Sequence, residues 1–223
     1  MKICHIAGAG DFFPGNIHTV SEGDLIIAAD GGYTELLKAG IKAHYLVGDF
    51  DSLEKMPPEA DISGQGPQIF RLPKEKDETD MKSAILLGYD KGFRLFHIHG
   101  GTGGRPDHTF ANIQILVWLS KNAAGGLLFF ENYVMTAITS SGVEIKGSAG
   151  DYISLFAYGQ MAEGITTQGL KYGLKNAPLH GDDPMGTSNE LAAPAARVDL
   201  RAGTLIITCP VKAGINFPFL LLR

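Results

Sequence analysis

The sequence has few features of secreted, membrane or nucleic-acid-binding proteins. Its 223 residues include 2 cysteines, Cys4 and Cys209, which lie in apolar runs, so we expect buried thiols rather than a disulfide framework. No apolar segment reaches the roughly 18 residues that a membrane-spanning helix needs, and the first segment is a poor signal peptide. No basic block suited to nucleic acid is present. We therefore expect a cytoplasmic protein that binds neither membranes nor nucleic acid.

Several common ligand-binding motifs are also absent from the sequence. No GxGxxG follows the first predicted strand, no GK[ST] follows the glycine-rich stretch, and no Cys-x-x-Cys pair suggests a zinc site. The missing first-strand glycine motif counts against an NAD-dependent dehydrogenase, which is one alternative enzyme class. The net charge of -5 is that of an ordinary acidic protein.

Strand and helix patterns alternate in the first part of the chain. We predict strands at Ile3–Ala7, Asp24–Ala29, His44–Gly48, Gln68–Leu72, Phe93–His99 and Gly126–Glu131, and helices at Tyr33–Ala39, Thr79–Tyr89 and Pro106–Asn122. This alternation predicts an α/β domain over residues 1–134, with a mainly parallel sheet flanked by helices. Residues 135–223 contain short strand-like runs such as YISLFAY without an amphipathic helix, which predicts an antiparallel β-sandwich or barrel.

Aspartates stand at the predicted carboxyl ends of strands, where open α/β sheets bind ligands. Asp30 closes LIIAAD, and Asp49 and Asp51 close YLVGDFD. In an extended backbone Asp49 and Asp51 would point to one face, where their charges would repel unless a cation lay between them. An Asx turn explains this segment equally well when it is taken alone.

Two further polar groups have simple structural explanations. Asp77 and Asp80 stand at the start of a predicted helix, and helix capping by Asp77 with Asp80 in the first turn accounts for them. His97 and His99 share a strand face, but no third ligand stands at a persuasive spacing, so we expect ordinary strand histidines. A hard cation bound by oxygens suits the aspartates better, which indicates Mg²⁺ carrying a polyphosphate.

The segment GGTGGRPDH at residues 100–108 predicts a phosphate-binding loop. Its glycines give the fold nothing to pack, but they let backbone N–H groups approach a ligand closely. Arg105 adds a fork of donors that matches phosphate oxygens. An ordinary flexible loop is the alternative, and the position directly before a helix favours anion binding.

Six motifs in order resemble those of the thiamine pyrophosphokinase family. They are AADGG (28–32), VGDFDS (47–52), KDETD (76–80), GGTGGRPDH (100–108), TQGLKYGL (167–174) and GTSNE (186–190). The resemblance implies an ATP-binding α/β domain, a C-terminal β-sandwich that binds thiamine, and a homodimer with active sites shared between subunits. It also implies Mg²⁺-dependent transfer of pyrophosphate from ATP to the hydroxyethyl group of thiamine, giving thiamine diphosphate and AMP.

The resemblance further implies roles for individual residues. The expected catalytic residues are Asp80, Asp49, Asp51 and Arg105. The expected metal ligands are Asp49, Asp51, Asp77 and Asp80. Expected ATP or phosphate contacts are Asp30, Gly31, Gly103, Gly104, Arg105, Asp107 and His108. Expected thiamine contacts are Tyr172, Ser188 and Asn189.

Some details of the site are left open by the sequence. Asp80 is the first choice for the carboxylate that orients the thiamine hydroxyl and accepts its proton, and Asp49 is the second. Gly173 stands where relatives often carry proline or asparagine, and Tyr172 where some carry tryptophan, so we expect weaker thiamine binding. A binding protein without catalysis is an alternative, which is disfavoured because binding alone does not need clustered metal carboxylates.

Overall fold

The computed structural model describes residues 1–17, 20–51, 53, 66–75 and 77–218. The chain divides into two compact units, Met1–Ile115 and Leu116–Arg223. Parallel strands and helices make up the first unit and antiparallel strands dominate the second, so the predicted fold class is confirmed. In the part of the chain that the structure describes, no helix has both the length and the apolar character needed to cross a membrane.

The first unit contains a parallel sheet and helices. Its strands are β1 (Cys4–Ala7), β2 (Leu25–Ala29), β3 (Tyr45–Gly48), β4 (Gln68–Arg71) and β5 (Leu95–His99), in the spatial order β4-β3-β2-β1-β5. Its helices are α1 (Gly32–Lys38), α2 (Asp80–Asp90) and the first part of α3 (Pro106–Lys121). All neighbouring strands in this order run parallel. The predicted elements are therefore confirmed to within one or two residues at each end.

The central strands of this sheet are buried on both faces. Every residue of β1 and β2 is buried, as expected for a parallel sheet covered by helices on both sides. On one face Gly88 of α2 lies against Cys4 and Phe96, and a Cβ on Gly88 would meet the Cys4 Sγ at 2.6 Å. A hydrophobic cluster that includes Leu36 and Leu46 forms a core around α1. This packing fixes the sheet edge at which the loops after β1, β2, β3 and β5 emerge.

The second unit consists of two antiparallel sheets. Its strands are β6 (Gly125–Phe129), β7 (Tyr133–Thr139), β8 (Gly142–Lys146), β9 (Tyr152–Ala157), β10 (Met161–Gln168), β11 (Ala177–His180), β12 (Asn189–Glu190), β13 (Ala195–Asp199), β14 (Thr204–Pro210) and β15 (Gly214–Asn216). One sheet has the order β12-β9-β14-β7-β6 and the other β11-β10-β13-β8-β15. Buried and more exposed residues alternate along β8 and β13, which is typical of sheets with one face against a core.

Candidate functional site

A cleft of about 640 Å³ lies at the carboxyl ends of the parallel strands. Its volume is within the usual range for small-molecule sites, which is roughly 300–1,000 Å³. Residues predicted from the sequence that line the cleft are Asp30, Asp49, Asp80, Gly103, Gly104, Arg105 and His108. Of the residues predicted to contact ATP or the metal ion, the lining does not include Gly31, Asp51, Asp77 and Asp107.

Three aspartates from the ends of β2 and β3 gather beside this cleft. One carboxylate oxygen from each of Asp30, Asp49 and Asp51 lies within 4.8 Å of the other two. The Asp30 N–H donates to the Val47 carbonyl oxygen at 2.8 Å, which ties the end of β2 to β3. The Asp30 Oδ1 atom is buried and accepts no hydrogen bond from any described residue. A buried carboxylate oxygen of this kind needs a partner, and a divalent cation with oxygen ligands fits the set.

A turn, and not the strand pleat, brings Asp49 and Asp51 together. The strand β3 ends at Gly48, and Phe50 has a φ of 68°, so the prediction of an extended DFD segment is wrong. The Asp51 N–H donates to the Asp49 Oδ1 at 3.1 Å, which confirms the Asx turn. Phe50 is buried in the hydrophobic core below, with the Arg71 Cζ 4.9 Å from its ring centroid. The buried ring therefore anchors a turn whose flanking carboxylates share one side.

Lys74 is a cleft residue that the sequence analysis missed. Its Nζ lies 3.3 Å from the Asp51 Oδ2, and its side chain lines the cleft. The pair is well exposed to solvent, so it adds little to stability. A single lysine in a loop gives no sequence signal, because most such lysines are solvated. Its position adds a positive charge on the side of the cleft that holds the acidic groups.

The loops that follow β1 and β5 are joined by backbone hydrogen bonds. The Gly8 N–H donates to the His99 carbonyl oxygen at 2.8 Å, and the Gly10 N–H donates to the Gly100 carbonyl oxygen at 2.9 Å. Gly100 has a φ of 62°, and a Cβ there would meet the Gly8 carbonyl oxygen. Gly8 and Gly10 line the cleft but were not predicted. Their signal was the run GAG at residues 8–10, directly after the first strand.

Arg105 and Asp107 form a two-point ion pair at the cleft. The Arg105 Nη2 lies 2.6 Å from the Asp107 Oδ2, and its Nε donates to the Asp107 Oδ1 at 3.2 Å. The hydrogen bond from Arg105 is the main cause that lowers the pKa of Asp107. The same Oδ1 accepts the His108 N–H at 3.0 Å. Asp107 therefore orients Arg105 at the start of α3 instead of lining the cleft itself.

The first turn of α2 places Asp80 at the cleft. Thr79 is the N-cap, and its Oγ1 accepts the Lys82 N–H at 3.2 Å, so the prediction of Asp77 as the cap is wrong. Thr79 takes this role because it stands directly before the first helical residue. Asp80 is the acidic residue of the first turn, as predicted.

In the second unit, the residues predicted to contact thiamine lie together. The Tyr172 N–H donates to the Asn189 Oδ1 at 3.0 Å, and the Asn189 Nδ2 donates to the Tyr172 carbonyl oxygen at 2.8 Å. Ser188, next to Asn189, donates its N–H to the Ser154 Oγ at 3.0 Å. The Tyr172 side chain is exposed, with the Lys171 Nζ 5.5 Å from its ring centroid. Asn189 therefore fixes the backbone that presents an aromatic ring.

His5 lies beside His97 and His99, and the sequence did not reveal this proximity. One ring nitrogen from each of the three lies within 4.8 Å of the other two, so a third histidine lies near the pair although no sequence spacing indicated it. Sequence spacing missed His5 because it lies on β1, the strand that pairs with β5. Burial lowers the pKa of His97 to about 3 and also lowers the pKa of His5, which keeps both rings neutral at pH 7.

Two family models match the chain. They are "Thiamin pyrophosphokinase, catalytic domain" over residues 17–125 and "Thiamin pyrophosphokinase, vitamin B1 binding domain" over residues 140–205. A Bacillus subtilis (strain 168) protein named thiamine pyrophosphokinase is 29% identical over 210 residues, which span 93% of this chain and 98% of that protein.

Solved structures are similar along almost the whole chain. The thiamine pyrophosphokinase structure from Bacillus subtilis has a TM-score of 0.81 and 25% identity, and the match covers 94% of this chain and 99% of that one. The thiamin pyrophosphokinase structure from Geobacillus thermodenitrificans has a TM-score of 0.77 and 24% identity, with 93% and 97% coverage.

Proposed function

Because the chain belongs to the thiamine pyrophosphokinase family, we propose that its cleft binds ATP with a divalent cation and that its second unit binds thiamine. The reaction is transfer of pyrophosphate from ATP to the hydroxyethyl group of thiamine, with thiamine diphosphate and AMP as products. The observation that carries the proposed site is the gathering of Asp30, Asp49 and Asp51 beside a glycine-lined cleft.

The acidic side of the cleft is the proposed Mg²⁺ site. The oxygen-only donor set and the buried Oδ1 of Asp30 support a hard cation. Asp49 and Asp51 are the proposed central ligands, and Asp30 joins them, although the sequence suggested only a phosphate-side role for it. Asp80 and Asp77 remain proposed as further ligands, directly or through water. The ion would supply charge neutralisation to the phosphate oxygens and to the departing AMP.

The glycine-rich side of the cleft is the proposed polyphosphate site. The backbone N–H groups of Gly103 and Gly104 and the guanidinium of Arg105 are suited to phosphate oxygens. Lys74 adds a second cation from across the cleft. We propose that His108 also contacts the nucleotide, while Asp107 and Gly31 support the loops from which the ligand is held. Positioning and charge neutralisation of this kind are the main requirements of phosphoryl-group transfer.

Asp80 is the proposed acceptor of the thiamine hydroxyl proton. It lies in the first turn of α2 and lines the cleft. An ionised carboxylate can accept a hydrogen bond from the hydroxyl and orient it towards the phosphate. Asp49 is the second choice, because it is a proposed central ligand and a carboxylate bound directly to a metal ion is a weaker base than one that acts through water.

Tyr172 is the proposed stacking partner of thiamine. The vitamin is a flat aromatic cation, and an exposed tyrosine ring offers it a face with negative charge density. Ser188 and Asn189 hold the loop beside it and are proposed to complete this surface.

We further propose a homodimer in which the cleft of one subunit works with the second unit of its partner. We also propose a cytoplasmic location, which the buried thiols of Cys4 and Cys209 support.

Product analysis tests the proposed function. Incubation with ATP, Mg²⁺ and thiamine should yield AMP and thiamine diphosphate in equal amounts. Removal of Mg²⁺ with EDTA should abolish this production, and added Mg²⁺ should restore it. Thiamine monophosphate is the matched control, because its hydroxyl is blocked and it should release no AMP. ADP as the product would indicate single-phosphoryl transfer, and binding without any nucleotide product would indicate a protein that lacks catalysis.

A further inference from the structure

Three histidines project from one face of the parallel sheet, below the cleft. His5 lies on β1 beside its register partner His97 on β5, and His99 lies two residues further along β5, beside Ala7. Residues two apart on a strand share a face, as do direct partners on neighbouring strands. Cys4 and Phe96 point to the opposite face, against Gly88 of α2. The three imidazoles are therefore gathered by the strand register.

The rings are close enough to share one ion. The ring centroids are 5.3 Å apart for His5 and His97, 5.8 Å for His5 and His99, and 6.4 Å for His97 and His99. One nitrogen of each ring lies within 4.8 Å of the other two. Nitrogens around a tetrahedral Zn²⁺, at bonds of about 2.0–2.1 Å, are roughly 3.4 Å apart. Binding of one ion therefore requires rotation of the side chains and no change of strand register.

The surroundings of His5 resemble those of a metal-bound histidine. His5 is 4% exposed and His99 is 1% exposed. Neither ring nitrogen of His5 has a hydrogen-bond partner among the described residues, which is costly for a buried polar group. The Asp24 Oδ2 lies 3.7 Å from the His5 Nε2, and Asp24 is itself held by the N–H groups of Ile3 and Ser21 at 2.8 Å each. A carboxylate behind a ligating histidine is the usual means of orienting it.

We propose that His5, His97 and His99 form a buried binding site for a Zn²⁺ ion, separate from the aspartate site. Imidazole nitrogens suit Zn²⁺, whereas Mg²⁺ takes oxygen ligands. The ion would link β1 to β5 within the strands, and the Gly8 N–H, which donates to the His99 carbonyl oxygen, links their carboxyl ends. The ion thereby braces the glycine loops that follow, which gives it a structural role beneath the nucleotide.

Metal binding to the full-length chain without an affinity tag tests this proposal. After treatment with EDTA, calorimetric titration with Zn²⁺ should show one tight site and a raised midpoint of thermal unfolding. The double variant Asp49→Asn, Asp51→Asn removes two carboxylates of the other cluster and should retain this site. His97→Gln should lose it, while His180→Gln, at an exposed histidine of β11, should retain it. Loss of the tight site in the aspartate variant, or its retention in His97→Gln, overturns the proposal.

X-ray absorption on the Zn²⁺-loaded wild-type protein decides the question independently of any variant that fails to fold. The measurement counts the ligands of the bound ion and distinguishes imidazole from oxygen donors. Three imidazole ligands are expected. A coordination shell of oxygen alone, or no zinc retained at one equivalent, overturns the proposal.

Discussion

Asp49 has two roles that a substitution can separate. Its Oδ1 accepts the Asp51 N–H and so holds the turn, while its negative charge faces Asp30 and Asp51. Asparagine keeps an oxygen that can accept the same hydrogen bond. It removes the charge that a metal ion requires. The local fold and the chemistry therefore respond differently to this one change.

We expect Asp49→Asn to lower kcat by on the order of 100-fold or more while the free energy of unfolding changes by less than about 1 kcal/mol. Asp80→Asn should also remove most turnover. Asp90→Asn is the matched control, because Asp90 lies at the opposite end of the same helix α2 and is exposed. Steady-state kinetics and urea unfolding measure the two effects. Wild-type turnover in Asp49→Asn would exclude this residue from the mechanism.

The individual site residues differ in how far the sequence reveals them. Asp80 and Arg105 line the cleft as expected, because Asp80 begins α2 and Arg105 directly precedes α3, and helix starts carry clear sequence signals. Lys74 and His5 were missed because their roles depend on contacts with residues far away in the sequence. The Asx turn after Asp49 was one of the two alternatives, but the positive φ of Phe50 was not predicted, since a positive φ at phenylalanine is uncommon.

At the scale of elements, the cleft depends on two loops that pack backbone against backbone. The loops after β1 and β5 approach so closely that side chains are excluded between Gly8 and Gly100. The buried Asn112 side chain, on α3, donates to the Gly101 carbonyl oxygen at 2.7 Å and holds the second loop from below. Glycine is therefore required in these loops because a side chain would block their close backbone contact, and at Gly100 also because the φ is positive.

Gly100→Ala tests this arrangement. We expect a loss of more than about 1 kcal/mol in the free energy of unfolding, because the new Cβ meets the Gly8 carbonyl oxygen at a positive φ. Gly40→Ala is the control, since Gly40 has a similar φ of 71° but no atom lies within 4 Å of the position that its Cβ would take. Chemical denaturation compares the two variants. Equal losses of stability in the two variants would show that the positive φ alone, without the close contact to Gly8, accounts for the requirement for glycine.

Helices and strands with strong hydrophobic periodicity were predictable from the sequence, whereas the pairing of strands was not. The apolar runs of β1 and β2 and the long pattern of α3 gave bounds close to those observed. The predicted strand at residues 126–131 exists as β6, but its antiparallel pairing with β7 does not follow from its composition. The two-residue strand β12 gives no periodic signal at all, because its register is set by β9.

At the scale of the whole molecule, the cleft and the Tyr172 surface belong to different compact units. The proposed homodimer joins the cleft of one subunit with the second unit of its partner. Tyr172→Ala should raise the KM for thiamine more than the KM for ATP, because it removes the proposed stacking face. Tyr172→Ala and Asp49→Asn should therefore be defective in different units of the chain.

Mixed dimers distinguish sites shared between subunits from sites within one chain. Coexpression of Asp49→Asn with Tyr172→Ala should restore about one quarter of wild-type activity at low thiamine, since half of the dimers are mixed and each has one intact site. Asp49→Asn with Asp80→Asn is the control, because both changes affect the cleft and no intact site can form. Activity equal to the mean of the separate variants would place each site within a single chain.

The central position of β1 has a consequence for biosynthesis. Residues 4–7 are synthesised well before one of their two neighbours, β5, which is completed only at His99. Until then one edge of an apolar strand is open to pairing with other nascent polypeptides, which is the exposure that molecular chaperones shield. Maturation of the proposed nucleotide cleft is therefore delayed until β5 has been translated.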